Sequence, residues 1–285
     1  MSTNRSSPAG TALKQVLAHA LLICFSLIMI YPLLWMLSSS FKPEQDIFTD
    51  LSLWPSRFTL ESYATGWHGL GVGFGKFFMN SFIVAILTVI GNVVSCSLAA
   101  FAFAYLQFRG KRIWFALMLA TLMLPYHVTL IPQYVLFLKL GWVNTFLPLV
   151  VPKFLASDAF FIFLMVQFFR GIPRDLIEAA MMDGCSIWRI YAKIILPLSL
   201  PVLATAAIFS FIWTWEDFFG PLVYLSDIKN YTVPLALRSF VDSTSQSAWG
   251  PLFAMSVLSI VPVFAFFMLF QRSLIQGIAT SGLKG

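Results

Sequence analysis

Charge is scarce in this chain. Only 11% of its 285 residues are Asp, Glu, Lys or Arg, against about 25% in a soluble domain. That deficit leaves no stretch from which a soluble globular domain could be built. Cysteine is equally sparse, and Cys24, Cys96 and Cys185 lie in apolar or loop positions without metal-ligand spacing. They imply no disulfide framework, and no metal site is expected. No H-E-x-x-H helix and no nucleophile elbow occurs. The run Gly71-Val72-Gly73-Phe74-Gly75-Lys76-Phe77 lacks the glycine spacing of a phosphate-binding loop and the Ser/Thr after its lysine. No internal repeat is visible either, which argues against a secondary transporter built from paired halves.

What remains is apolar: 59% of the residues are hydrophobic, with 30 Phe and 9 Trp to suit lipid-facing surfaces and interfacial belts. A helix needs about 20 apolar residues to cross the hydrocarbon core. Six blocks meet or approach that length: 16–37, 77–106, 113–138, 146–169, 196–224 and 249–271. The fourth is interrupted by Lys153 and Asp158, and the fifth holds Glu216 and Asp217. Lipid forces backbone hydrogen bonds to close within each segment, and these stretches are too long for barrel strands. The expectation is an all-α membrane protein with six transmembrane helices. Residues 1–11 are read as a flexible N-terminus and 12–285 as one transmembrane domain. The first block is read as a helix rather than a signal peptide, because its apolar run exceeds a signal core and five blocks follow.

The net charge of +6 is the balance of 18 Lys and Arg, scattered over short loops, against 12 Asp and Glu. That pattern serves topology rather than nucleic-acid binding. With both termini inside, the inner segments carry eleven of these cations and the outer segments seven. Arg109-Gly110-Lys111-Arg112 lies directly between two blocks. Near-membrane cations weigh most in the positive-inside rule, so both termini are expected to be cytoplasmic.

One polar interruption has an ordered look. Glu178-Ala179-Ala180 is followed after three residues by Gly184, and after nine more by Ile194, one residue and Leu196-Pro197. Pro173 suits the first turn of a helix, with Asp175 and Glu178 near its positive end. Ile177 and Met181 share a face, and Ala180 and Gly184 lie beside it. Gly184 can end the helix in a left-handed conformation, and Ser186 can cap the next one. A small helix-turn-helix over about 173–197 is expected.

This spacing resembles the cytoplasmic coupling loop of ABC importer permeases. Further matches run along the chain: Phe169-Arg170-Gly171-Ile172-Pro173, Phe209-Ser210-Phe211-Ile212-Trp213-Thr214-Trp215 with Phe218 and Pro221-Leu222, Met123-Leu124-Pro125, Thr129-Leu130-Ile131-Pro132 and Gly141-Trp142-Val143-Asn144-Thr145. The ending Phe270-Gln271-Arg272, Gly277 and Leu283-Lys284-Gly285 is similar to that of maltose-type permeases. The resemblance covers roughly 12–285 and lies with the sugar-importer subgroup. It departs at Cys185, Glu216 and Val166, where that subgroup commonly has alanine, asparagine and arginine.

The resemblance implies the type I importer permease fold and a multi-pass place in the cell inner membrane. The chain would be a transmembrane permease subunit moving a sugar or oligosaccharide delivered by an extracytoplasmic solute-binding protein. A related polyol or glycerol-phosphate is the alternative substrate, and a self-sufficient secondary transporter the alternative mechanism. Partners implied are a sister permease, two ATP-binding subunits and the lipid bilayer, with no nucleic acid. No cofactor is expected in this chain, since ATP and magnesium would sit on the partner subunits, and no enzymatic activity is expected of it. Glu178, Ala179, Ala180, Asp183, Gly184, Leu196 and Pro197 would couple to the ATPase. Asp242, Ser243 and Gln246 would meet the binding protein.

Trp213, Trp215, Glu216 and Asp217 are candidate pathway residues, because carboxylates accept sugar hydroxyls and indoles stack on sugar faces. A buried acid usually faces an aqueous cavity or the bundle interior; the competing reading is that these acids hold a loop near the outer interface. Adjacent acids on a helix point apart, so they make a poor catalytic dyad. His127 lies among Pro125 and Pro132, where a helix is expected to distort, and Asp158 is placed to cap the core of the fourth helix.

Overall fold

The computed structural model describes residues 8–241 and 248–282. Its elements are α1 (Pro8–Ser39), α2 (Glu61–His68), α3 (Phe74–Tyr105), α4 (Lys111–Thr121), α5 (Tyr126–Lys139), α6 (Leu147–Val150), α7 (Ala159–Arg170), α8 (Arg174–Met182), α9 (Ile187–Ile190), α10 (Leu196–Leu198), α11 (Leu200–Trp215), α12 (Phe219–Tyr224), α13 (Val233–Arg238) and α14 (Trp249–Gly282). The described residues contain no strand, as expected where backbone groups must be satisfied within each segment. α1 begins at Pro8, inside the segment read as a flexible N-terminus.

Among the described residues, four stretches are long and apolar enough to cross a bilayer: Lys14–Ser39, Phe74–Tyr105, Leu147–Arg170 and Trp249–Gln271. A fifth is bent by 76° between Ile187–Leu198 and Leu200–Trp215, where Pro197 and Pro201 flank Ser199. The block expected over 113–138 is divided. α4 has 11 residues and α5 has 14, separated at Leu122–Pro125. Pro125 lacks an N–H and stands extended at the start of α5. Neither half reaches the ~20 residues of an unbroken crossing. The fifth block is divided too, since α11 ends at Trp215 and α12 starts at Phe219.

Contacts group the chain into two compact units, Met1–Leu70 with Phe240–Leu258, and Gly71–Ser239 with Ser259–Gly285; the sequence reading treats 12–285 as one domain. In the first unit the turn after α1 is organised by charge. Lys42 is fully buried, and its Nζ donates to the carbonyls of Asp50 and Ser52, the latter at 2.7 Å. Asp50 accepts from the amides and hydroxyls of Ser52 and Ser56, and those donors hold its carboxyl far below the usual carboxylate range. Glu44 caps the start of α14, accepting from the amides of Trp249 at 2.7 Å and Gly250 at 2.8 Å. An anion there satisfies orphan donors at the positive end of the helix.

In the second unit α3 is the axis, packed along α11 and α7. Its buried face includes Cys96, Ala100, Phe101 and Ala104, against Phe161, Met165 and Phe169 of α7 and Val202 and Ala206 of α11. Gly91 admits the turn 151–155, because a Cβ there would lie 2.8 Å from the Phe154 ring. Polar ties fix the register. Asn92 donates to Ser210 Oγ at 2.9 Å, and Asn80 donates to the carbonyls of Lys229 and Tyr231. Asp158 does occupy the position before α7, but its side chain makes no capping hydrogen bond. It pairs with Lys153 at 3.0 Å instead and closes the turn that interrupts the fourth block. His127 is exposed and sits edge-on to Phe219, with ring centroids 5.1 Å apart.

Candidate functional site

The polar interruption folds as the expected helix-turn-helix. Pro173 is extended and α8 starts one residue later, at Arg174. α8 ends in a Schellman arrangement: Gly184 has φ +75°, its amide donates to the Met181 carbonyl at 3.0 Å, and the Cys185 amide donates to the Ala180 carbonyl at 2.9 Å. Glycine adopts that φ without the strain an L side chain brings. Ser186 then caps α9, accepting from the Arg189 amide at 3.4 Å.

The elbow has a locked inner face and an open outer one. Ile177 and Ala180 are buried in the same core cluster as Phe169, Ile190 and Ile195. Met181, one turn on from Ile177, is half exposed at the edge of the packed stripe. Glu178, Ala179, Asp183 and Gly184 face outward. Around them lie exposed apolar side chains, with Met182 89% accessible and Trp188 71%. Glu178 has neither ion pair nor hydrogen bond among the described residues. A fixed backbone thus presents carboxylates, small residues and exposed apolar side chains together on one outer face.

A π-helical turn, Tyr191–Ile195, joins the elbow to α10 and α11. Its Leu196 amide donates five residues back to Tyr191. The Tyr191 hydroxyl meets Ser97 Oγ of α3 at 2.8 Å. Leu196 is half-buried and Pro197 exposed, just before the 76° bend. Sequence reasoning did not single out this turn or its Ser97 tie. No local signal marks it: Ile190 and Ile194 read in sequence as an ordinary i, i+4 pair, whereas the structure buries Ile190 and Ile195.

The four pathway candidates separate. Trp213 is 49% exposed and packs against Phe160, Phe161 and Phe209. Trp215 turns inward, against Phe82 and Phe211, and its indole N–H donates to the Ser259 carbonyl at 3.1 Å. Glu216 ends α11 and is exposed. Asp217 is half-buried and accepts from the Gly220 amide at 3.1 Å, holding the turn into α12. Asp242, Ser243 and Gln246 lie outside the described residues.

The fold is that of an importer permease. It aligns, at a TM-score of 0.83 and 23% identity, with a chain from the crystal structure of a bacterial ABC transporter involved in the import of the acidic polysaccharide alginate, covering 95% of this chain and 100% of that one. Residues 91–280, which include α8–α11 and the elbow, match the family model described as the binding-protein-dependent transport system inner membrane component. The chain belongs to that family, as a multi-pass permease subunit of an ABC importer in the inner membrane. It is 32% identical to the trehalose/maltose transport system permease protein MalG of Thermococcus litoralis, over 96% of this chain and 98% of that protein. It is also 32% identical to the diacetylchitobiose uptake system permease protein NgcG of Streptomyces coelicolor, over 90% and 84% respectively.

Proposed function

We propose that this permease carries a sugar or oligosaccharide, delivered by an extracytoplasmic solute-binding protein, through a pathway shared with a sister permease. Two ATP-binding subunits supply the work, and this chain contributes no catalytic group and holds no cofactor of its own. The observation that carries the reading is the elbow, whose inner face is packed into the bundle while Glu178, Ala179, Asp183 and Gly184 remain open. A push on the outer face is transmitted through Ile177, Ala180 and the π turn to the bend at Ser199. Coupling of this kind needs a loaded binding protein that favours one transporter state over another.

In this reading residues 12–285 act as one permease with six crossings, α4 and α5 together forming the third, and both termini are cytoplasmic. Trp213 and Glu216 offer an aromatic face and a free carboxylate to the substrate. Trp215 and Asp217 hold those two in place, and Asp242, Ser243 and Gln246 meet the binding protein. The carbohydrate assignment is supported by the Streptomyces and Thermococcus relatives.

The test is uptake by the complete transporter reconstituted with its ATPase and binding protein. Glu178→Lys combined with Gly184→Val is expected to lower sugar accumulation at least tenfold while the assembled complex still forms. Full-speed accumulation by the double variant would overturn the coupling role. Competition by sugars, polyols and glycerol phosphate in the same vesicles assigns the substrate class.

A further inference from the structure

A second charged feature lies beside the elbow and is not used by the transport reading. Where α3 gives way to α4, and α7 to α8, a cavity of ≈ 360 Å³ is lined by Lys111, Arg112, Arg170, Arg174 and Gln107. None of the four cations has an ion-pair partner among the described residues. Lys111 is partly buried and uses its Nζ to hold the Leu106 carbonyl at 2.7 Å. Arg170 lies over the Phe115 ring, 5.0 Å from its centroid, which fixes the guanidinium at the cavity wall.

The backbone adds to the same field. α4 begins at Lys111 and α8 at Arg174, so two helix N-termini, each with a cation as its first residue, border one space. Cations are unfavourable at that end of a helix and anions are favourable. α4 has no acid in its first turn to offset this; α8 has only Asp175. A topology signal needs cations at helix ends, but it does not need four of them to converge on a cavity.

We propose that this cavity binds a phosphate-ester anion, presented by the headgroup of an anionic phospholipid on the elbow side of the membrane. Guanidinium forks fit phosphate oxygens in pairs, and basic pockets between transmembrane helices suit anionic headgroups. The rest of the lining favours a lipid over a soluble ester. Phe103 and Phe115 form an apolar wall, and the adjoining surface of α4 exposes Ile113, Trp114 and Leu117. A soluble phosphate ester shares the anion but gains nothing from those side chains. The site does not depend on which solute the transporter carries.

The experiment uses the assembled transporter in phosphatidylcholine nanodiscs, with or without phosphatidylglycerol, and counts retained lipid by native mass spectrometry. Wild type is expected to retain phosphatidylglycerol, and Lys111→Gln/Arg112→Gln/Arg174→Gln to lose at least tenfold of it. Arg112→Gln alone should give a smaller loss, which keeps the test informative if the triple variant does not fold. Arg109→Gln, in the same loop but outside the cavity lining, should change nothing. Equal retention in all variants, or equal loss with Arg109→Gln, overturns the site. A pocket-dependent thermal shift with inorganic phosphate, without phosphatidylglycerol retention, supports the anion site and moves its source to a soluble ester. Loss of the ATPase subunits with lipid retention unchanged makes the cavity a protein contact and overturns the proposal.

Discussion

The chain interrupts its oily sequence with charge in two contrasting ways. After α1, Lys42 and Asp50 are turned onto backbone and hydroxyl groups of their own loop, and Glu44 caps α14. At the elbow, Glu178 and Asp183 stand on an equally well-ordered backbone but face outward. Order at the first site comes from satisfied charges. At the second it comes from Ile177 and Ala180 beneath and from the Gly184 turn, so the charges are left free for another molecule. Charge used internally therefore fixes a loop, whereas charge held by an apolar anchor makes a contact surface.

The widest gap between the two should follow substitution of Lys42. Lys42→Met leaves the Asp50 and Ser52 carbonyls without a buried donor and is expected to cost about 3 kcal/mol. A fall in the melting temperature of the detergent-solubilised protein reads this directly. Glu178→Gln, by contrast, should shift stability by less than ~0.5 kcal/mol yet reduce ATP-coupled transport; a large stability loss there would break the contrast. Gly184→Ala, at φ +75°, is expected to cost about 1 kcal/mol and to loosen proteolytic protection of the elbow. Ser186→Ala should cost roughly 0.5 kcal/mol, at the low end for a cap, because its hydrogen bond is long at 3.4 Å.

Asp50 sharpens the comparison through pH. Its folded carboxyl titrates below its unfolded value, so its contribution is fully present above the unfolded pKa of about 3.9. The contribution falls away as pH drops below that value toward the folded one. Melting scans on acidification should show this decline in wild type and a smaller one in Asp50→Asn.

Much of this architecture was legible because hydropathy, glycine and cap residues act locally. The apolar blocks, the Gly184 terminus and the Ser186 cap needed no distant partner. Other features depended on partners far along the chain. Trp213 and Trp215 look alike in sequence but, two residues apart on a helix, must point to different sides. The one that turns inward, Trp215, packs against Phe82, and its indole donates to the Ser259 carbonyl 44 residues later. Asp158 read as a cap because its backbone position is right, and its pairing with Lys153 depends on the fold of the intervening turn. Hydropathy counted 113–138 as one block because it averages over Pro125. The basic cavity drew on loops some sixty residues apart, so Lys111 and Arg174 read only as separate topology signals.

The π turn also sets the compass of the elbow. Ile190 and Ile195 both point inward although five positions apart, which a helix of 3.6 residues per turn would not allow. The extra residue in that winding brings the second isoleucine back round to the core. Removing one residue from 191–195 would swing everything upstream by about 100°, and Glu178 would then look out on another side of the bundle, with α8's apolar stripe turned to water.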